Sequence, residues 1–186
     1  MEYRTVEEEI SRLLADFFRQ KGPLLEKAAG VIVEGLKSGR KVLVFGNGGS
    51  AAEAQHLAAE LVNKFSRPRR ALPAVALTTD TSALTSIAND SSFDLVFSRQ
   101  IEALGAEGDI ALALSTSGTS PNIIEALKTA RKKKMVTIAL TGVEGGRLGP
   151  LSDFLLDAPS RTTPRIQELH LVILHLIAQE IDDRLD

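Results

Sequence analysis

The chain predicts an α/β protein of the three-layer kind, a parallel sheet flanked by helices on both faces and preceded by a helical extension. Three observations carry this. After residue 39, short apolar runs alternate with stretches of helical periodicity. The runs are apolar throughout rather than at every second position, as in strands buried on both faces. The 186 residues, 44% hydrophobic and 25% charged, suffice for a core without disulfides or a structural metal. No internal repeat or long linker divides the chain. Residues 1–186 therefore read as a single domain, with helices over 1–38 and an α/β core with a C-terminal helix over 39–186.

Each element has its own signal. Residues 3–20 set Val6, Ile10, Leu13, Leu14, Phe17 and Phe18 at three- and four-residue spacing, an amphipathic helix. Gly22 and Pro23 interrupt it, and a second helical pattern runs over 24–36. Ser38-Gly39 closes that helix before KVLVF, a buried strand. There follow a helix over 50–65, the strand AVAL, a helix over 81–88, the strand DIALAL, a helix over 121–132, the strand VTIAL, a Gly-rich turn and the strand DFLLD. The helix over 164–184 contains LHLVILHLIAQ, apolar nearly all the way round. One sheet face would not cover it, so burial against another subunit is expected.

Composition excludes several classes. Lys plus Arg number 22 against 24 Asp plus Glu, a net charge of -2, which supplies no broad cationic field for nucleic acid. The short basic clusters, Arg67, Arg69 and Arg70 around Pro68 and Arg131 to Lys134, read as solvated surface or favourable charge at a helix end. Without cysteine there is neither a disulfide nor a catalytic thiolate. The start MEYRTVEEEI lacks the apolar segment of a secretory signal, and the apolar stretch 169–179 is far shorter than the ~20 residues of a spanning helix. A cytoplasmic protein with no membrane or nucleic-acid partner is expected.

Two strand-to-helix turns carry candidate chemistry. The first is Gly46-Asn47-Gly48-Gly49-Ser50, followed by AAEAQHLAAEL. Glycines let backbone approach a ligand closely, and the next helix points free amides at an anion. Ser50 also reads as an N-cap, with Glu53 completing a capping box. The pattern is neither GxGxxG nor a Walker sequence, so neither a dinucleotide nor a nucleoside triphosphate is indicated. The second turn, Ser115-Thr116-Ser117-Gly118-Thr119-Ser120 before Pro121, sets five hydroxyls at a strand's C-terminal end. Hydroxyls with unpaired helix amides can surround a phosphate without a lysine. Capping by Ser120 would need only one of them.

His56 and Glu60, four residues apart on a helix, share a face and can act on one ligand or metal. Gln167, His170 and His175 lie on the apolar final helix. Read alone, each histidine is first a core residue with its polar atoms satisfied. Gln167 and His175 are separated by about 12 Å of helix rise and about 80° in direction, so they meet on one atom only by leaning together or across two subunits.

The segments GNGGSAAEAQHLAAEL, LTTDTSALTSIAND, STSGTSPN and TPRIQELHLVILH, in this order and spacing, resemble the phosphoheptose isomerase family over most of the chain. The resemblance implies the sugar isomerase, or SIS, fold with a five-stranded parallel sheet. It further implies a homotetramer whose sites are shared between subunits. The activity implied is a ketose–aldose isomerisation of sedoheptulose 7-phosphate to D-glycero-D-manno-heptose 7-phosphate, the first step of nucleotide-activated heptose biosynthesis. Substrate contacts would fall on Asn47, Gly48, Gly49, Ser50, Asn89, Asp90, Ser115, Thr116, Ser117, Ser120, Glu60 and Gln167. Glu60 would be the base and His175 the acid. A zinc ion, one per subunit, would take His56, Glu60, Gln167 and His175 as ligands. Pro164 stands where the family pattern leads one to expect alanine, a change suited to a helix start.

Two other readings share part of the pattern. A non-catalytic SIS protein that binds the bacterial replication initiator resembles this chain through its glycine turn, IAND and RIQE-type segments, but lacks equivalents of Glu60 and His175. An isomerase or sensor of another sugar phosphate would share the fold and the phosphate loop.

Overall fold

The computed structural model describes residues 3–185. Its five strands are β1 (Val42–Gly46), β2 (Ala74–Ala76), β3 (Ile110–Ser115), β4 (Val136–Thr141) and β5 (Phe154–Asp157). All pair in parallel, in the order β2-β1-β3-β4-β5. Each apolar run read from the sequence is thus a strand, and β1 and β3 are buried along their whole length.

Side chains alternate between two cores. Val42, Val44, Leu112, Leu114, Ile138 and Leu140 pack beneath α1 (Tyr3–Lys37), α2 (Gly49–Val62) and α6 (Thr163–Arg184). Leu43, Phe45, Ala111, Ala113 and Ala139 face α4 (Ser98–Leu104) and α5 (Pro121–Lys132), with α3 (Thr81–Asp90) at the margin. The short α4 was not legible in the sequence. Its seven residues SRQIEAL bury only Ser98 and Ile101, too few positions to display a helical period.

Three expectations are corrected. The two helices expected over 1–38 are one continuous helix, α1, with Pro23 inside it. A proline there forfeits one helical hydrogen bond, at about 3 kcal/mol. Burial of Leu13 and Phe17 before it, and of Leu25, Ala28, Ala29, Ile32, Val33 and Leu36 after it, holds both halves on one core and offsets that cost. The apolar α6 is covered chiefly within its own chain, by α1 and α2. Only Leu171 and Leu176 among its large apolar side chains are exposed, at 36% and 39%. Finally, Ser50 is not the N-cap of α2. The helix starts at Gly49, with Gly48 as cap at a φ of 56°.

Candidate active site

Strand order sets where a ligand binds. From β1 the chain steps outward to β2 on one side, while β3 lies on the other, so the turns leaving β1 and β3 diverge and open a crevice at the strands' C-terminal ends. Those are the two turns singled out above. Asn47, Gly49 and Ser50 from the first, Ser115, Thr116, Ser117 and Ser120 from the second, and Gln167 and Thr163 from α6 line a cavity of about 230 Å³. A wider groove of about 730 Å³ lies between α1 and the opposite ends of the strands, along Gly30, Gly35 and Gly108; Lys27, Arg40 and Arg184 line it with Glu34, but it lies away from the strands' C-terminal ends and from both turns.

Local chemistry shapes the cavity. The Ser115 hydroxyl accepts from the Gly118 amide at 3.1 Å, and Ser117 Oγ accepts from the Thr119 amide at 3.2 Å, curling the loop. Gly118 has a φ of +64° and lies so close to the Gly145 and Gly146 backbone that a Cβ would strike it. Ser120 occupies the N-cap position of α5, yet its side chain makes no capping hydrogen bond, which leaves the hydroxyl free for a ligand. Gly49 packs against the Gln167 amide, where any side chain would displace it. The Asn47 amide exchanges two hydrogen bonds with buried Asn122, at 2.9 and 2.8 Å, tying the two turns together. The Asn47 side chain is therefore engaged within the fold. Asn122 itself was missed as a site residue, although it lies in the quoted STSGTSPN segment.

Farther along α2 and α6, three side chains converge. His56 Nε2 lies 2.8 Å from His175 Nε2, so one imidazole donates to the other. Glu60 Oε1 is 3.5 Å from His56 Nε2, and the Phe65 ring packs 5.5 Å from that of His175. All three polar groups are half-buried. Behind them, Arg69 joins the helices. Its guanidinium donates to the Glu60 carbonyl at 2.7 Å and to the Leu61 carbonyl at 2.9 Å, closing the end of α2. It also donates to Asp182 of α6 at 2.6 Å, with both side chains almost wholly buried. Burial would raise Asp182, but bonds from the Ser66 amide, Arg69 and the Arg67 amide together hold its carboxyl below the usual range. Arg69 is thus not the solvated charge its basic cluster suggested. The signal was in Asp182, an acid four residues beyond Ala178 on the buried stripe of α6.

Glu53 and His170 sit between the cavity and the core. Burial pushes the Glu53 carboxyl up to about 7, against a smaller lowering by the Ser50 hydroxyl. Burial lowers His170 to about 4, partly opposed by its bond to the Thr141 carbonyl. His170 Nδ1 and Glu53 Oε2 lie 3.9 Å apart, each buried and without a hydrogen-bond partner.

The expected site residues thus fall into three places. Asn47, Gly49, Ser50, Ser115, Thr116, Ser117, Ser120 and Gln167 share the cavity, with Gly48 exposed at its rim. His56, Glu60 and His175 form the cluster. Asn89 and Asp90 stand exposed at the end of α3, bonded to each other at 2.8 Å. As a zinc site the donor types fit, since imidazole nitrogens and a carboxylate are the ligands zinc accepts. No ready cage of three or more His, Cys, Asp or Glu exists among the described residues. The two ring nitrogens, 2.8 Å apart, are also closer than the roughly 3.3 Å that two nitrogens keep around a tetrahedral zinc. Gln167, expected as fourth ligand, lies in the cavity beside Gly49.

A five-stranded parallel sheet with a hydroxyl-lined cavity at its switch point and a His/Glu cluster on the two framing helices is an α/β fold of the SIS-domain class. The family described as SIS domain matches residues 6–142. A phosphoheptose isomerase of Aliarcobacter butzleri is 55% identical over 161 residues, 87% of this chain and 85% of that protein. The structure of a phosphoheptose isomerase from Neisseria gonorrhoeae superposes with a TM-score of 0.91 at 43% identity, covering 97% of both chains. One from Francisella tularensis gives 0.94 at 38% identity, over 98% of this chain and 97% of that one. The chain belongs to the phosphoheptose isomerase family of SIS-domain proteins.

Proposed function

We propose that the protein isomerises sedoheptulose 7-phosphate to D-glycero-D-manno-heptose 7-phosphate, the entry reaction to nucleotide-activated heptose. The observation that carries this is the relation of cavity to cluster. α2 and α6 both begin at the hydroxyl-lined cavity and carry the cluster about 9 to 15 Å farther along their axes, a span that an extended heptose phosphate lying from the cavity toward the cluster would bridge.

Ketose–aldose exchange moves a proton between adjacent carbons through an enediol while the carbonyl oxygen gains negative charge. The hydroxyls of Ser115, Ser117 and Ser120, with the Gly49 and Asn122 amides at the starts of α2 and α5, bind the phosphate and fix the reacting end. Glu60 takes the carbon-bound proton and returns it to the neighbouring carbon. His175 passes the oxygen-bound proton, and His56 sets the position of its ring. Arg69, by holding the Glu60 carbonyl and Asp182 of α6, keeps base and acid on fixed helices. His56, Glu60 and His175 are the residues that would hold zinc, with Gln167 joining only after leaving Gly49. When bound, zinc would polarise the substrate carbonyl.

Asn89 and Asp90 stay exposed on α3, a helix that buries no residue in its own chain. This supports a homotetramer in which a neighbouring subunit covers α3 and shares the site.

The test is formation of aldoheptose phosphate from sedoheptulose 7-phosphate by purified protein, with and without chelator, beside Glu60→Gln. Turnover should fall at least a hundredfold in the variant, as expected for loss of a general base, on the order of 10² to 10⁴. A normally active Glu60→Gln protein rules this mechanism out. Loss of activity on chelation, restored by zinc, would support the metal.

A further inference from the structure

Glu53 and His170 have no part in the scheme above, yet they form a buried titratable pair beside the cavity. His170 is wholly buried, and its Nε2–H is committed to the Thr141 carbonyl at 3.1 Å, so Nδ1 presents only a lone pair. Glu53 Oε2 faces it at 3.9 Å. Both atoms are buried and unpartnered. That separation is shorter than the roughly 4.5 Å spanned by two hydrogen bonds through one water, so water does not bridge them. Two acceptors facing each other in a dry interior lack a single proton, and a small rotation of a neutral Glu53 carboxyl supplies it.

The surroundings agree. No Lys or Arg nitrogen lies within ion-pair distance of Glu53 among the described residues. The charged groups on the packed elements have other partners: Lys21 of α1 pairs with Asp157 of β5, Arg165 of α6 with Glu168 and Glu9 of α1, Asp182 of α6 with Arg69, and Arg184 of α6 with Glu180 and Glu34. His56 and Glu60 lie farther along α2. Burial without a cation holds the Glu53 carboxyl up at about 7. On its other side the same carboxyl is within reach of the Ser50 hydroxyl, which lines the cavity.

We propose that Glu53 is a positioning residue for anion binding: a neutral carboxyl wedged between His170 and Ser50 that leaves the cavity floor uncharged and frees the Ser50 hydroxyl for the phosphate. A carboxylate there would capture the Ser50 hydrogen and repel the anion. A neutral acid carries no charge to repel the anion, and its one free oxygen accepts from Ser50 more weakly than a carboxylate does. The inference rests on the reading of the cavity as a phosphate site.

The experiment is calorimetric titration of the intact protein and of Glu53→Gln with sulfate, a dianion throughout the range, between pH 6 and 8.5 at constant ionic strength. Sulfate affinity of the wild type should fall about tenfold between pH 6 and 8, as required when binding needs a proton on a group near 7. That of Glu53→Gln should match the wild type at pH 6 and change less than twofold. Parallel profiles in the two proteins, or a variant that binds poorly even at pH 6, overturn the role of Glu53 while leaving the cavity intact. No sulfate binding by the wild type at any pH overturns the cavity reading and this inference together. Should Glu53→Gln fail to fold, nitrogen NMR of His170 in the wild type decides. A neutral ring carrying its proton on Nε2 from pH 6 to 8 supports the proposal, and an imidazolium at pH 7 defeats it.

Discussion

At the scale of single residues, the Glu53–His170 pair couples two opposite proton balances. Glu53 rises from 4.5 to about 7 on folding, so the folded state keeps a proton that the unfolded chain has lost, and stability falls as pH rises through that window. His170 drops from 6.5 to about 4, so the folded state refuses a proton the unfolded chain holds, and stability falls as pH falls through that window. Between 4.5 and 6.5 the two slopes cancel, since folding in effect moves a proton from imidazole to carboxyl. Glu53→Gln removes one side of the balance. Its stability relative to wild type should therefore rise with pH from about 4.5 to 6.5, by up to about 3 kcal/mol. Urea unfolding at three pH values in this range checks it. A constant difference between the two proteins would mean the pair does not exchange a proton on folding.

At the scale of elements, the two turns behave as one unit, because the Asn47–Asn122 pair joins them, while Gly118 packs the second against the loop after β4. Ser115→Ala with Ser120→Ala should raise the Michaelis constant at least tenfold, about 1.4 kcal/mol, and lower kcat less. An unchanged Michaelis constant would remove these hydroxyls from substrate binding. Strands and turns were legible in the sequence because continuous apolar runs and Gly/Ser clusters are local signals. The unbroken α1 was not. Gly22-Pro23 is a strong local breaker, and what overrides it is long-range burial of both flanks. Ser50 likewise looked like a cap, but Gly48 takes that position because its positive φ suits glycine. In the site, the spacing of His56 and Glu60 was readable. The pairing of His56 with His175, and of Arg69 with Asp182, depends on how α2 lies on α6, which no single segment encodes.

At the scale of the molecule, large apolar side chains are exposed on both sides of the sheet: Phe18, Val62, Leu171 and Leu176 on α1, α2 and α6, and, on the second side with its shorter helices, Phe93 at 57% and Leu104 at 44%. Assembly through the second side would cover Phe93 and Leu104 together with α3. Light scattering should accordingly give four times the 20.0 kDa chain mass, and Phe93→Asp should reduce it. A monomer with full isomerase activity would argue against shared sites. The pairing of α1 with α6 also bears on how the chain is made. α1 is synthesised early and carries Pro23 within it, yet the α6 partner that covers much of its apolar stripe arrives only after every strand of the sheet. During translation the part of that stripe that α6 covers stays bare, so nascent chains are candidates for chaperone capture, and products arrested before α6 would be sticky rather than partly functional.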